Sequence, residues 1–404
     1  MRRSKARTHA PPWLFAAAAF ACGDDATGGS SSLTVDETPA RAAEWTSTAP
    51  LAIDGEAFAV GTDRDGALYA VIDDRLYVDE LSALSERQRL ADPGAPSALG
   101  AVHRIRSRPG EGVWVATQTG LWTSAGLFLR HRPTDLSPAE VLDVDEIEEG
   151  TFAGLWLASP SGVYWIDGQT AQRLESDAPP QRIATSLDAV ALLSDRALKV
   201  LTQSSGSLFI ETPPEAFETY DVAAFDGALF AATDRGLLRY RRGGWTLFEL
   251  DATRARRTTS LATTSGALWA RTDDGLIRFD GTDISLYPAV GDGPFVVDRL
   301  GDAYVISEGG LVRASTGEAD GPVTTFANDV LPWLQTHCIA CHANQTQDFT
   351  DYDVFRAVAA DALTRVRSGD MPRCDGGVRC PPERYLSEDN YAVLERWIRS
   401  GQPQ

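Results

Sequence analysis

Near the C-terminus, two thiols and an imidazole lie within five residues of one another. Cys338 and Cys341 are separated by two residues, and His342 follows directly. On a helical turn this spacing puts both sulfurs on one side, where they can reach the two vinyl groups of one porphyrin, and points the imidazole at its iron. Because the chain has only 5 cysteines and 5 histidines, a chance match has a probability on the order of one in a thousand. The motif predicts one covalent haem c.

Zinc is the alternative, because Cys338, Cys341, Cys374 and Cys380 could supply four thiolate ligands. The second pair is separated by five residues rather than the two to four that are common in zinc sites, and zinc would leave His342 without a role. An exported chain also meets an oxidising compartment, where thiols tend to pair. We therefore favour haem and expect Cys374 and Cys380 to form a local disulfide, with unpaired or distantly paired thiols as the alternative.

A second axial ligand is expected at Met371, the only methionine of the chain besides Met1. It stands between Gly369 and Pro372, which is typical of a loop stiffened by proline rather than of an apolar helix face. Methionine as the sixth ligand raises the haem potential, and an iron with both axial positions filled carries electrons rather than binding a substrate. A methionine that only fills a buried gap is the other interpretation.

Three helical patterns surround these residues. The segment 328–337 leads into the cysteine motif, and 351–368 repeats apolar residues at helical spacing. A third pattern runs from Ser387, a candidate N-cap, to Gly401, a candidate terminator, and its apolar residues at i, i+3, i+6 and i+7 mark one buried face.

Residues 325–404 resemble the class I cytochrome c domains that are appended to bacterial exported proteins, and the resemblance implies a small all-α domain. It also implies Cys338 and Cys341 as thioether anchors, His342 as the proximal ligand and Met371 as the distal ligand. Many relatives hold the proximal imidazole with a proline carbonyl soon after the motif. This chain has no proline between His342 and Met371, so another carbonyl must orient the ring.

The middle of the chain, 50–320, repeats a short apolar strand, a Gly or Asp turn and a second apolar strand. The clearest copies, Gly227–Tyr240 and Gly266–Phe279, are near-duplicates. Seven copies recur at a mean spacing of about 39 residues, close to the length of a four-stranded propeller blade. The aliphatic residues that open the second strand are Leu76, Leu121, Val163, Leu198, Leu237, Leu276 and Leu311. We predict an all-β, seven-bladed β-propeller.

Within one copy, the hairpin of 229–233 with 237–241 should be followed by a third strand at 245–250 and a fourth at 260–264. The Gly-x-Leu-Trp-x-Ala-Thr pattern resembles the propeller repeats in periplasmic sensor regions of two-component regulators, which implies an architecture but no ligand. The tryptophans are expected to pack between blades: Trp114, Trp122, Trp156, Trp245 and Trp269. The two histidines of the block, His103 and His131, are expected at the surface.

The N-terminus carries export and anchoring signals. Residues 1–21 combine early basic residues with a short apolar run, as in a signal peptide. Cys22 follows a segment that resembles a bacterial lipobox, which implies a lipidated cysteine, with ordinary cleavage near Ala21 as the alternative. Residues 22–49 are rich in Gly, Ser and Thr and are predicted to be a flexible tether.

The net charge of −20 argues against nucleic acid as a partner, because phosphate binding needs clustered cations. We expect a lipid-anchored cell-envelope protein, periplasmic or on the outer membrane, whose propeller recruits a redox partner protein and whose haem exchanges one electron with it. The alternative is an oxidoreductase whose propeller holds a substrate or a quinone cofactor. A third hypothesis treats the propeller as a pure interaction module beside a structural or vestigial haem domain.

Overall fold

The structure is a computed structural model of the 404-residue chain. It describes residues 33–36, 39–51, 57–63, 67–79, 84–89, 96–108, 112–125, 128–132, 139–167, 170–174, 178–204, 207–250, 256–264, 266–298, 301–307, 310–316, 325–342, 348–367, 371, 393–394 and 397–398. The predicted signal peptide, Cys22, Cys374 and Cys380 lie outside the described residues, as does the side chain of Cys341.

Seven sheets, here called blades 1 to 7, follow one another through the described chain; each is built on four antiparallel strands, and blades 2, 5 and 6 carry a fifth, parallel outer strand (β8, β1 and β2). Three strands precede them: β1 (Leu33–Asp36), β2 (Arg41–Ala42) and β3 (Ser47–Leu51). Blade 1 consists of β4 (Ala57–Thr62), β5 (Leu68–Ile72), β6 (Arg75–Asp79) and β7 (Leu84–Glu86). After β8 (Gln88–Arg89), blade 2 consists of β9 (Val102–Ser107), β10 (Val113–Thr117), β11 (Gly120–Ala125) and β12 (Phe128–His131).

The remaining blades repeat this meander. Blade 3 consists of β13 (Asp143–Ile147), β14 (Gly154–Ser159), β15 (Gly162–Asp167) and β16 (Thr170–Leu174), and blade 4 of β17 (Arg182–Thr185), β18 (Ala189–Ser194), β19 (Ala197–Ser204) and β20 (Ser207–Glu211). Blade 5 consists of β21 (Thr219–Phe225), β22 (Ala228–Thr233), β23 (Gly236–Arg241) and β24 (Gly244–Phe248), and blade 6 of β25 (Thr258–Thr263), β26 (Leu268–Thr272), β27 (Gly275–Phe279) and β28 (Ile284–Pro288). Blade 7 consists of β29 (Phe295–Val297), β30 (Ala303–Ser307) and β31 (Gly310–Ser315), completed by β3.

The blades form a closed ring around their first strands. The first strand of each blade contacts the first strand of the next, and β29 contacts β4. A strand from the N-terminal side also closes the ring, because β3 hydrogen-bonds to β31 as the outer strand of blade 7. This confirms the predicted seven-bladed propeller, whose physical logic is that a small sheet buries both faces only between neighbours.

The apolar residues of the repeat fill the spaces between blades. Trp122, Trp156, Trp245 and Trp269 are at most 1% exposed, and Trp114 is 4% exposed. The prediction that these side chains pack the blades is confirmed.

The sequence predicted the right number of blades but assigned one strand of the repeat to the wrong blade. The segment predicted as a fourth strand, 260–264, belongs to β25, which is the innermost strand of the following blade. The period of a repeat gives the number of blades, but it does not say at which strand each sheet begins, because every strand has an antiparallel neighbour along the chain.

The predicted tether, 22–49, is wrong from Leu33 onward. The strand β1 pairs in parallel with β24, β2 pairs in parallel with β28, and β3 pairs with β31, so this segment adds outer strands to blades 5, 6 and 7. Trp45 stacks on Trp269, with ring centroids 6.1 Å apart, and its indole N–H donates to the carbonyl of Pro288 over 2.8 Å. Edge strands pair through backbone groups, so they need no apolar period that a sequence would reveal.

Helices follow the propeller in the chain. A π-helical turn (Phe326–Val330) continues into α1 (Leu331–His337), α2 (Ile339–His342) follows, and α3 (Tyr352–Arg367) matches the predicted helix 351–368. Residues 393–394 and 397–398 are also helical. The helices share an apolar cluster centred on Leu334, Phe355, Leu363, Leu394 and Trp397, all 0% exposed. No helix in the described part of the chain is both long and apolar enough to cross a membrane.

Candidate functional site

The cysteine motif lies where two short helices meet. Cys338 ends α1, and its N–H donates to the carbonyl of Leu334 over 2.8 Å. The N–H of His342 donates in turn to the carbonyl of Cys338 over 3.1 Å. Residues four apart on a helical turn share one face, so the backbone presents Cys338 and His342 on the same side. The position of the Cys341 sulfur stays a prediction.

His342 is half-buried, and its ring stacks on Phe349 with a centroid separation of 4.2 Å and an interplanar angle of 9°. Phe349 also packs edge-on against Phe355 at 5.1 Å. Phe349 therefore ties the imidazole to the apolar cluster. Its only signal in the sequence is an isolated aromatic residue between polar neighbours shortly after the motif, so this contact was not predicted.

Met371 lies just past the C-terminal end of α3. Its N–H donates to the carbonyl of Arg365 over 3.1 Å, which ties the residue to the end of that helix. The side chain is partly buried and packs against the same apolar cluster as Cys338. Met371 thus stands outside α3, as predicted, and its side chain also packs at the margin of the core, so its role as a ligand stays a prediction.

These residues fit a haem by the chemistry of their side chains. A thiol, an imidazole and a thioether, from Cys338, His342 and Met371, are all partly exposed, and the first and last border one apolar cluster. A largely apolar macrocycle needs such a surface beside its axial ligands. In addition, the indole N–H of Trp333, in the helix before the motif, is buried without a partner among the described residues. A buried donor of this kind suits a polar substituent of a bound group.

The propeller contains a second candidate site along its axis. A cavity of about 560 Å³ is lined by the first strands of the blades and includes His103, Arg104, Arg106, Asp145 and Arg182. Its volume lies within the range of small-molecule sites, about 300–1,000 Å³. Charged side chains therefore face the centre of the ring.

Two buried carboxylates hold these guanidinium groups. Asp143 accepts from Arg106 through Nε at 3.2 Å and Nη2 at 3.1 Å. Asp221 accepts from Arg104 through Nη2, at 3.3 Å and 3.0 Å to its two oxygens. Both carboxylates are at most 2% exposed. The bidentate pairing of Arg106 with Asp143 fixes orientation as well as charge.

The same carboxylates join neighbouring blades. Asp143 accepts the N–H of Ile183 over 3.1 Å, and Asp221 accepts the N–H of Leu261 over 2.9 Å, in each case from the first strand of the next blade. Asp145 accepts the N–H of Thr185 over 2.7 Å in the same manner. These contacts tie blade 3 to blade 4 and blade 5 to blade 6.

The two carboxyls of β13 have opposite pKa shifts. Burial alone would raise the pKa of Asp143, but the charges of Arg106 and Arg104 outweigh it and hold that pKa below its usual value. Burial raises the pKa of Asp145, which Arg106 and Thr185 offset only in part. For Arg106, burial lowers the pKa, but Asp143 and Asp145 outweigh it, so the pKa is raised and the guanidinium stays charged.

Both histidines of the propeller were predicted at the surface, but neither lies freely there. His103 lines the cavity and lies 3.0 Å from Glu140, from its Nε2 to the carboxylate. His131 is half-buried and packs its ring against Trp122 at 4.9 Å. His103 lies on β9, the strand of blade 2 that lines the axis, and His131 lies at the end of β12, the fourth strand of that blade. Their polarity alone therefore did not indicate exposure.

No protein-family model matches the chain, and no curated protein matches it in sequence. Among solved structures, the chain is similar to the extracellular domain of a hybrid two component system from B. thetaiotaomicron, with 14% identity, a TM-score of 0.49, and coverage of 67% of this chain and 42% of that one. It is also similar to virginiamycin B lyase from Staphylococcus aureus, with 14% identity, a TM-score of 0.48, and coverage of 66% of this chain and 98% of that one. A third similar structure is YCF48 bound to D1 peptide, with 15% identity, a TM-score of 0.48, and coverage of 69% of this chain and 98% of that one. The propeller assignment stands on the strand pairing itself.

Proposed function

We propose that this chain is a cell-envelope c-type cytochrome that carries one covalent haem and exchanges single electrons with a protein recruited by its propeller. The helices of 325–404 would form a class I cytochrome c domain, exported by the segment 1–21 and anchored through a lipid on Cys22. The observation that carries the proposal is the placement of Cys338 and Met371 against one apolar cluster, with His342 stacked on a member of that cluster.

Each residue has one role in this proposal. Cys338 and Cys341 hold the haem covalently, and His342 and Met371 supply the axial nitrogen and sulfur. The bound haem supplies a reversible one-electron couple. Phe349 holds the plane of the His342 ring by stacking, a restraint that many relatives obtain from a proline carbonyl. The apolar cluster excludes water, and a methionine ligand favours the reduced state.

An oxidoreductase is the second candidate, because the propeller has a cavity of about 560 Å³ lined by charged groups. In that case the cavity would hold a substrate or a quinone cofactor, and electrons would pass to the haem. Reduction of a dye by the purified protein when sugars or alcohols are added would favour this candidate. A protein that reduces no dye yet exchanges electrons with a soluble cytochrome would favour the first.

Covalent haem staining of the exported chain tests the proposal. The chain is produced in a host that matures c-type cytochromes and is analysed on a denaturing gel, where only covalent haem remains with the polypeptide. Cys338→Ala and Cys341→Ala should each lower the stain sharply, whereas Cys374→Ala combined with Cys380→Ala should keep it. A zinc site would instead lose stoichiometric metal in all these variants, and a chain without covalent haem would overturn the proposal.

A further inference from the structure

Strand register puts charges of alternating sign in one layer around the propeller axis. In blades 2 to 6, one residue of the first strand pairs with the next-to-last residue of the second strand. These residues are, in order, Arg104, Asp143, Arg182, Asp221 and Ser260. Four consecutive blades therefore contribute charges at one height of the ring, and blade 6 contributes a small neutral side chain.

The two carboxylates of this layer are fully occupied by the protein. A carboxylate has about four lone-pair sites. Asp221 accepts two contacts from Arg104 and the N–H groups of Val222, at 3.0 Å, and Leu261, at 2.9 Å. Asp143 likewise accepts four contacts. Both side chains are at most 2% exposed, and neither belongs to the described lining of the axial cavity.

Arg182 has no carboxylate of its own within hydrogen-bond distance. Its Nε lies 3.8 Å from Asp221, which is longer than a hydrogen bond, and its Nη1 donates to the carbonyl of Gln181 over 2.8 Å. The Arg182 side chain is 30% exposed and lines the cavity. The guanidinium groups of Arg104, Arg106 and Arg182 thus share two buried carboxylates, and partly buried cations favour an additional anionic partner.

Two other acidic side chains on the charged wall of the cavity already accept hydrogen bonds. Asp145 accepts from the N–H and the hydroxyl of Thr185, at 2.7 Å and 3.0 Å, and burial raises its pKa. Glu146 accepts from the indole N–H of Trp114 over 2.7 Å. The arginines, rather than these acids, therefore offer groups that can bind a ligand by donating hydrogen bonds.

The opposite wall of the cavity is small and largely apolar. Blades 1, 6 and 7 contribute Ala59, Gly61, Ala262, Pro294 and Val296 to it. An organic group fits against such a surface, whereas a hydrated inorganic ion does not gain from it.

Arg271 adds an unsatisfied donor at the apolar wall. It lines the cavity and lies over the ring of Phe295, 5.3 Å from the centroid. Its Nε and Nη2 are buried without a hydrogen-bond partner among the described residues. Burial lowers the pKa of Arg271, and the charge of Asp292 opposes this only in part. Buried donors normally have an acceptor, which a ligand in the cavity would supply.

We propose that the axial cavity binds a small organic acid with a single carboxylate. The carboxylate lies against Arg104 and Arg182, and the apolar body lies against blades 1, 6 and 7. Guanidinium groups match a carboxylate geometrically, and a monoanion balances the one guanidinium that has no carboxylate of its own. This site requires only the propeller, so it does not rest on the proposed cytochrome.

Isothermal titration calorimetry of the purified, exported chain at pH 7 tests the inference. The probes are benzoate and hexanoate, and benzamide and hexanamide are their neutral controls. At least one acid should bind, and its amide should bind about ten-fold more weakly or less. Arg182→Gln should weaken binding of that acid about ten-fold or more. The matched control is Arg278→Gln, since Arg278 is 26% exposed and lies 3.7 Å from Asp280, outside the cavity lining. It should leave binding within about two-fold.

A steric variant tests the same site without changing its charge. Ser260 is partly buried and lines the cavity in the layer of Arg104 and Arg182. Ser260→Leu should weaken binding about five-fold or more by filling the space of the apolar body, and Ser260→Ala should retain it. Urea unfolding checks that each variant is folded.

Four results would overturn the inference: neither acid binds, the amides bind as tightly as the acids, Arg278→Gln loses as much binding as Arg182→Gln, or Ser260→Leu binds like the parent. Equal competition by inorganic phosphate would also overturn it, because phosphate has no apolar body. Normal binding of the acid by a chain without covalent haem would count against the cytochrome proposal alone.

Discussion

Removing the carboxylate of Asp143 should destabilise the propeller strongly. The side chain is 0% exposed and accepts from Arg106, from Ile183 and from the N–H of Val144 at 2.9 Å. Breaking a buried ion pair by removing one partner costs about 3–5 kcal/mol, and a backbone N–H left unpaired adds about 1–3 kcal/mol. Since the Arg106 side chain is 17% exposed at the cavity, water offsets part of this. We expect Asp143→Ala to lower the free energy of unfolding by about 3 kcal/mol or more.

Urea unfolding followed by tryptophan emission measures this, because four tryptophans are fully buried between blades. The matched control is Glu218→Ala, which breaks an ion pair with Arg196 of similar length, 2.9 Å, whose two side chains are 57% and 60% exposed. Exposed pairs contribute little, so the control should change stability far less. A loss below about 1 kcal/mol for Asp143→Ala, or a loss equal to that of the control, would refute the argument that buried carboxylates hold the ring together.

The stability contributed by the Asp143 carboxylate should depend on pH. Its pKa is held below its usual value in the folded chain, so its contribution to stability is present above the unfolded pKa, about 3.9, and is lost as the pH falls through the folded pKa. Asp143→Asn should therefore be less stable than the parent at pH 7, and the difference should shrink below about pH 4. A difference that is constant from pH 7 to pH 3 would show that the charge of Asp143 is not involved.

Three further outcomes are expected. Gly275 has a φ of 151°, and a Cβ there would collide with the carbonyl of Tyr287. Gly275→Ala should therefore lower the free energy of unfolding by more than about 1 kcal/mol. The control Gly266→Ala, which has open space around it, should leave the melting temperature nearly unchanged. Deleting 33–36 should expose the edge of blade 5 and speed proteolysis of the propeller, and an unchanged digestion rate would argue against β1 pairing. Phe349→Ala should broaden the spectroscopic signature of the axial imidazole, which Phe349→Tyr should restore; equal spectra in all three proteins would exclude a positioning role.

The sequence was sufficient for the number of blades and for the packing of their tryptophans. A period near 39 residues with a Gly-x-Leu-Trp core specifies a sheet that must repeat to bury its faces, and Leu237 and Leu276 open equivalent strands in the structure. The sequence did not show at which strand each blade begins, since the pairing of 258–263 with the next sheet depends on ring closure. The strand β1 was missed because its pairing uses backbone groups.

Around the cysteine motif, sequence spacing gave the local backbone geometry, and the roles of these residues as haem ligands stay a prediction. Cys338 and His342 come together through one helical turn, and Met371 stood out as a lone methionine. The ring of charges along the axis was not predictable, because Arg104 and Asp221 are 117 positions apart and meet only when blades 2 and 5 face one axis. Phe349 was missed for a related reason: a stacked ring has no fixed sequence offset from the imidazole it supports.

A redox titration of the purified, exported chain, followed by its visible spectrum, tests the central claim most directly. We expect one haem per chain that titrates as a single one-electron couple with a sharp reduced α band. The potential should fall clearly in Met371→Ala, because a methionine ligand raises it. A chain without a haem spectrum, or a Met371→Ala variant with an unchanged potential, would contradict the account.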